Sequence, residues 1–235
     1  MSAVIIGATG GIGRALTLSL AEGGYGSRVH ALSRSGGGEW PEGVMPGRID
    51  ILDEASIKAA ADTVEDPDLV IVASGILSDG DRLTPEKSWR HQSLDTYEEV
   101  FRINTFGPGL VAKHFLPKMP REGRTVFAAL SARVGSISDN GFGGWHAYRA
   151  SKAALNMLIR NFAIEQQRKN DQSICVGLHP GTVDTGLSAP FQGNVPDRQL
   201  FTPNKAAGYL IGVIERLTPE HTGRLYDWQG EEIAP

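Results

Sequence analysis

The stretch "IIGATGGIGRAL", residues 5–16, joins the end of an apolar run to the start of a helical one, with glycines at 7, 11 and 13 at the join. A glycine-rich turn in that place lets backbone approach a pyrophosphate at the positive end of a helix. Glycine is common in this chain, 29 of 235 residues, so the spacing alone would equally suit a tight strand-to-helix turn. The chain downstream decides between the two.

Short apolar or β-branched runs alternate there with helical patterns. "AVII" (3–6), "RVHAL" (28–32), "DLVIVA" (68–73), "TVFAAL" (125–130), "SICVGLH" (173–179) and "RLYDW" (224–228) read as strands. Several are apolar on both faces, as a parallel sheet covered by helices requires. Residues 11–24 carry Ile12, Leu16 and Leu20 at helical spacing and close on glycine. Residues 53–64 form a short Ala-rich helix. Residues 95–116 open on a D-x-x-E capping pattern at Asp95 and Glu98 and bend at Pro108. Residues 148–167 place Ala154, Leu158, Phe162 and Gln166 along one stripe, and 203–217 start with Pro203 in the first turn. The alternation predicts one α/β domain over 1–235, a Rossmann fold with a doubly wound parallel sheet of about seven strands flanked by helices. "SRSGGGEWPEGVMPG" (33–47) reads as a loop. "DTGLSAPFQGNVPDRQLFT" (184–202) reads as a second loop, whose length suggests a functional role.

Bulk properties narrow the function. A chain 40% hydrophobic and 21% charged suits a globular domain. A net charge of −4 and a pI of about 5.9 speak against nucleic acid or an anionic membrane as partner. The lone Cys175 lies in an apolar run, reads as a buried thiol and suits a reducing cytoplasm. No apolar run approaches the ~18 residues of a membrane span, and the first residues lack the basic and cleavage features of a signal peptide. A cytoplasmic location follows as an expectation. The six histidines are scattered without metal-ligand spacing, so no metal is expected.

The second strand should end on the residue that reads a ribose. An acid there bonds a 2′-hydroxyl, whereas arginine accepts a 2′-phosphate. This chain has "ALSRSG" (31–36), so Ser33 and Arg34 stand at that end. The guanidinium fork and the hydroxyl favour NADP(H) over NAD; an ordinary solvated arginine is the plainer alternative.

In "HAYRASKAALNML" (146–158), Tyr148 and Lys152 are four residues apart and so share one helix face. A free tyrosine titrates near ~10, which makes it a reluctant base at neutral pH. Lowering that value by two to three units takes roughly 3–4 kcal/mol. An ammonium within ~4–6 Å in a partly desolvated site supplies much of it. Beside a nucleotide loop, such a pair predicts a proton donor matched to a developing alkoxide while the cofactor gives hydride.

With "GATGGIG" (7–13), "ASG" (73–75), "RINTFGP" (102–108), "LSARVGS" (130–136), "YRASK" (148–152) and "HPGTVDT" (179–185) in that order, the chain resembles the short-chain dehydrogenase/reductases over nearly its whole length. Within them it is similar to the carbonyl-reductase-like group that includes sniffer and C-factor. The resemblance implies that Tyr148 is the acid/base, that Lys152 lowers its pKa and bonds the nicotinamide ribose, and that Asn104 holds the helix and a proton-relay water. It also implies a cofactor cradle of Gly7, Thr9, Gly10, Gly11, Ile12 and Gly13 with Ser33 and Arg34. Asp50 would cap the adenine amino group with Ile51 beside it, Ala73, Ser74 and Gly75 would border the cofactor, and Pro180, Gly181, Val183 and Thr185 would face the carboxamide. The substrate would be a small carbonyl compound or alcohol. The family pairs through helices around 95–119 and 148–168, which leaves both a homodimer and a monomer open.

Two departures stand out. The family's carbonyl-polarising serine falls here on Ala132, so Ser131 or Ser136 substitutes, with Ser131 favoured, or the site works without that hydroxyl. "ASG" also replaces the usual "NAG", at a position with a mostly structural role. Trp145 and His146 could line the substrate pocket or pack where the helix begins. Phe191 and Phe201, in the long loop, either cover an apolar carbonyl substrate or dock the loop on the core. The rival reading is a catalytically weak NADP-binding regulatory or signalling protein. Ala132 favours it, and intact Tyr148, Lys152 and Asn104 oppose it.

Overall fold

The apolar run before the glycine turn forms β1, Ser2–Ile6, buried from Ala3 onward because helices cover both faces of its sheet. The computed structural model describes residues 2–23, 28–194 and 196–235. Within the described residues, β1 is joined by β2 (Arg28–Ser33), β3 (Val44–Arg48), β4 (Leu69–Val72), β5 (Thr125–Leu130), β6 (Ser173–His179), β9 (Leu225–Asp227) and β10 (Glu232–Ile233). They make an eight-stranded sheet in the order β10-β9-β6-β5-β4-β1-β2-β3, parallel except where β10 meets β9. A separate short parallel pair, β7 (Thr182–Val183) with β8 (Leu200–Phe201), brackets the long loop.

Alternation along each strand feeds two cores. In β5, Val126, Ala128 and Leu130 face one layer, with α1 (Gly11–Glu22) and α6 (Pro203–Arg216). Phe127 and Ala129 face the other, with α2 (Glu54–Asp62), α4 (Gly107–Phe115) and α5 (His146–Gln167). Fully burying a side chain such as Phe127 stabilises by about 1.5–3 kcal/mol. Strand order runs outward from β1 to β2 and β3, then reverses to β4, β5 and β6. That reversal opens a crevice at the carboxyl ends of β1 and β4, where such sheets take their ligands.

The doubly wound Rossmann architecture agrees with the expectation, and several local readings are corrected. Residues 33–47 are not all loop: Val44–Arg48 pairs with β2 as the sheet's edge strand. Pro46 and Gly47 hid it, and an edge strand tolerates a proline that a central one would not. With β10 it adds two strands to the six runs read above, making eight where about seven were expected. The helix expected from 95 begins as α3, Leu94–Phe101, and Ser93 caps it by accepting from Thr96 N at 3.2 Å, in place of an Asp95 capping box. The helix runs on through a π-helical turn, Arg102–Phe106, into α4, and Pro108 stands just after that turn. On α5 the buried stripe is Leu155, Ile159, Ala163 and Gln166, one position round from that expected, because two apolar stripes adjoin. Leu158 and Phe162 are half-buried, and Phe162 meets Phe127 edge-on at 6.0 Å. α1 ends at Glu22; Gly24 of the expected helix lies outside the described residues, as does Val195 of the 184–202 loop. Among the described residues no helix is long and apolar enough to cross a membrane.

Candidate active site

The crevice holds two connected cavities that share Gly10, Ala73, Ser74 and Gly75. The first, of about 880 Å³, is bordered by Gly7, Thr9, Ser33, Arg34, Asp50 and Ile51. The second, of about 620 Å³, is bordered by Gly11, Ile12, Ser131, Ala132, Tyr148, Lys152, Pro180, Gly181, Val183 and Thr185. The residues expected to hold a cofactor are thus brought together, except that Gly13 and Asn104 lie behind the surface.

The glycine turn explains its own composition. Gly7 has φ +86°, and its N–H and that of Ala8 both donate to Leu32 O, at 2.9 and 3.0 Å. A Cβ on Gly13 would lie 2.1 Å from Gly7 O, so α1 packs too closely on the turn for any side chain there. A Cβ on Gly11 would meet Thr185 Cγ2 at 2.6 Å. Gly10 is the N-cap of α1 and supplies no side-chain acceptor, so the first-turn amides are left for a ligand. Arg34 is exposed at the end of β2, and Ser33 Oγ lies 3.2 Å from Ser35 Oγ. Asp50 Oδ1 accepts from Leu52 N at 2.9 Å, which fixes its carboxylate at the cavity rim. Among the described residues Ser74 Oγ, buried, has no hydrogen-bond partner, which leaves it a donor for a ligand group in the space both cavities share. These features fit a dinucleotide.

Tyr148 and Lys152 do share a face: Lys152 Nζ lies 5.8 Å from the centre of the Tyr148 ring. The ammonium is 3% exposed and donates to Leu130 O at 2.8 Å. Burial pushes the Tyr148 phenol up to about 12 and the Lys152 ammonium down to about 8. In the protein alone burial thus raises the tyrosine's pKa, against the expected fall. Tyr148 is held as the protonated phenol, and Lys152 stays largely charged at neutral pH.

Asn104 sits fully buried in the π-helical turn and grips Ile76 from both sides. Its Nδ2 donates to Ile76 O and its Oδ1 accepts from Ile76 N, each at 2.8 Å, and Nδ2 reaches Ser151 Oγ at 3.2 Å. The turn thereby ties the loop after β4 to the helix that carries Tyr148. Ala132 borders the second cavity where a polarising hydroxyl was expected. Ser131 borders it too, with its hydroxyl donated to Asn156 Oδ1 at 2.7 Å. Ser136 accepts from Asp139 N at 3.1 Å and faces Pro235 O, away from the cavity lining.

The two loop phenylalanines part company. Phe191 lies against Trp145 at the cavity, ring centres 5.1 Å apart, and Trp145 stands edge-on to Tyr148 at 6.3 Å. Phe201 is 3% exposed and packs on Trp228 and Tyr209, so it docks the loop on the core. Trp145 has φ +51°, a left-handed conformation that costs a bulky residue about 1–3 kcal/mol. Sequence reasoning missed His179, which borders the cavity with Nδ1 buried and, among the described residues, unpartnered, and its pKa pushed down to about 4 by burial, with the Arg133 charge adding to the fall. It also missed Glu86, which touches the start of α5 from a distant loop.

Residues 1–195 match the short chain dehydrogenase family, and the chain belongs to it. It is 38% identical to the C-signal of Myxococcus xanthus over 134 residues, covering 57% of this chain and 75% of that one. It is 35% identical to the 1-hydroxy-2-glutathionyl-2-methyl-3-butene dehydrogenase of Rhodococcus sp. (strain AD45), covering 80% of this chain and 78% of that one. The NADPH-bound carbonyl reductase from chicken fatty liver superimposes with a TM-score of 0.85 and 27% identity, over 100% of this chain and 94% of that one. The chain is an oxidoreductase acting on CH–OH or C=O groups.

Proposed function

We propose that the protein reduces a small ketone or aldehyde to an alcohol, or runs the reverse oxidation, with NADP(H) preferred over NAD(H) and Tyr148 as the general acid/base. The observation that carries this reading is the placement of Tyr148 and Lys152 together in a cavity continuous with the glycine turn. The Gly7–Gly13 turn would hold the pyrophosphate, Ser33 and Arg34 the 2′-phosphate, Asp50 and Ile51 the adenine, and Ala73–Gly75 the span between. Pro180, Gly181, Val183 and Thr185 would flank the nicotinamide. When bound, NADPH supplies the hydride.

Tyr148, kept protonated by burial, holds its proton at Oη for transfer to the carbonyl oxygen. The Lys152 ammonium, anchored to Leu130 O, would stabilise the phenolate left behind and help hold the cofactor's ribose. Asn104 fixes the π-turn so that a water can pass protons onward from Lys152. Ser131 supports the site with its hydroxyl committed to Asn156, and Ala132 leaves carbonyl polarisation with one donor fewer. Trp145 and Phe191 form an aromatic wall suited to an apolar substrate. The regulatory alternative is not favoured, since the Tyr148, Lys152 and Asn104 constellation is intact.

The same reading makes residues 1–235 one domain working in the cytoplasm, and light scattering after size-exclusion chromatography decides between homodimer and monomer. NADPH oxidation measured over a panel of carbonyls that includes benzil, with NADH beside it, tests the main proposal. Turnover with a lower KM for NADPH supports it; cofactor binding without turnover on any carbonyl overturns it.

A further inference from the structure

We propose that Glu86, on the loop between β4 and α3, is a positioning residue that locks the start of the catalytic helix and so holds Trp145 and Tyr148 in register with the substrate. The chain reaches α5 through three consecutive residues in the left-handed region: Gly143 and Gly144 at φ +66° and Trp145 at φ +51°. The glycines adopt that conformation freely. Trp145 does not, and α5 has no side-chain cap of its own at that end. Such a segment keeps one geometry only when bonds from outside it over-determine the path.

Glu86 provides those bonds twice. Its backbone oxygen accepts from Trp145 N at 2.6 Å. Its carboxylate, in a residue 4% exposed, accepts from Ala147 N through both oxygens, at 3.2 and 3.3 Å. Ala147 N is one of the first-turn amides that a helix cannot satisfy internally, and the positive end of a helix of 22 residues favours a carboxylate there. The residue next along is Tyr148. Ala147 itself is fully buried with Leu83 and Val100, so the loop that carries Glu86 is packed on the helix it caps. On the other side, Arg149 Nε donates to Gly144 O at 3.1 Å and its Nη1 to Val134 O at 3.2 Å. Trp145 is thus clamped between the Glu86 loop and the turn after β5, with its indole against Tyr148 and Phe191. Removing the carboxylate frees the first turn, and a displacement near 1 Å at a reacting group costs on the order of 100-fold in rate.

This inference rests on the proposed carbonyl reduction, and its test carries a readout that does not. Glu86→Ala and Glu86→Gln are compared with wild type for benzil-dependent NADPH oxidation, NADPH affinity by fluorescence, and amide hydrogen exchange of the 145–152 segment. Glu86→Ala is expected to lower kcat by about 10–100-fold, to leave NADPH affinity within about threefold, and to speed exchange at 145–152 with the sheet unchanged. Glu86→Gln, which keeps an acceptor for Ala147 N, is expected to restore most of both losses. Loss of the whole fold, a parallel loss of NADPH binding, or unchanged exchange at 145–152 in Glu86→Ala overturns the assignment. Should wild type itself fail to turn over any carbonyl, the enzymatic reading fails while the exchange comparison still decides the role of Glu86.

Discussion

Replacing Gly13 by alanine tests the close packing of α1 on the nucleotide turn. The added Cβ would lie 2.1 Å from Gly7 O, 2.8 Å from Gly7 C and 3.2 Å from Ala8 Cα. All three are backbone atoms, so no flexible side chain can swing aside. The turn or the helix has to move by about 1 Å to restore van der Waals contact, and overpacking of this kind costs about 1–3 kcal/mol. Gly7 cannot yield cheaply, because its N–H is bonded to Leu32 O and its carbonyl accepts from Gly10 N at 3.0 Å. For a domain of this size each kcal/mol shifts Tm by about 2–4 °C. A fall of roughly 2–12 °C in Tm follows for Gly13→Ala by scanning fluorimetry, with a weaker NADPH Kd because the same displacement spoils the first-turn amides. Gly10→Ala is the control: its Cβ would approach only Gly7 O, at 3.3 Å, so it should spare Tm and affect the cofactor alone. A Gly13→Ala protein with wild-type Tm and wild-type NADPH affinity would refute the packing argument.

Three further outcomes are expected. Arg34→Ala should raise the KM for NADPH by about tenfold or more and leave that for NADH nearly unchanged; equal effects on both cofactors would remove Arg34 from the 2′-phosphate site. Ala132→Ser should add a donor beside Tyr148 and raise kcat for an unactivated ketone by about 10-fold or more, given that losing one such donor costs ~10²–10³; no gain on any ketone would mean that the carbonyl oxygen lies elsewhere. Lys152 is held down to about 8 in the fold and titrates near ~10.4 when unfolded, so between those pH values the unfolded chain binds more protons. Stability from this group therefore rises as pH climbs through that window, and wild type should gain Tm relative to Lys152→Met between about pH 8 and 10; a constant difference would contradict the burial of the ammonium.

The layered sheet was legible because strands covered on both faces must be apolar throughout, as "DLVIVA" and "TVFAAL" are. The edge strand Val44–Arg48 was not, because its pairing needs only backbone on one side and leaves Pro46 exposed. The nucleotide turn and the Tyr148–Lys152 face could be read because spacing along a single element sets both. The Ser93 cap and the π-turn at Asn104 were hidden, since competing polar residues nearby offered equally good local signals. The sign of the Tyr148 shift depends on desolvation by the folded environment, which no local spacing records. Glu86 is 61 residues from the Ala147 amide it bonds, so no local pattern gave it away, whereas His179 opens the quoted "HPGTVDT" run and borders the cavity.

The central claim is that Tyr148 donates the proton in carbonyl reduction, and single-turnover reduction of benzil by the NADPH complex of Tyr148→Phe, set beside wild type, tests it most directly. The account predicts a rate lowered by about 10²–10⁴-fold with NADPH affinity unchanged. A phenylalanine variant that transfers hydride at the wild-type rate would contradict it.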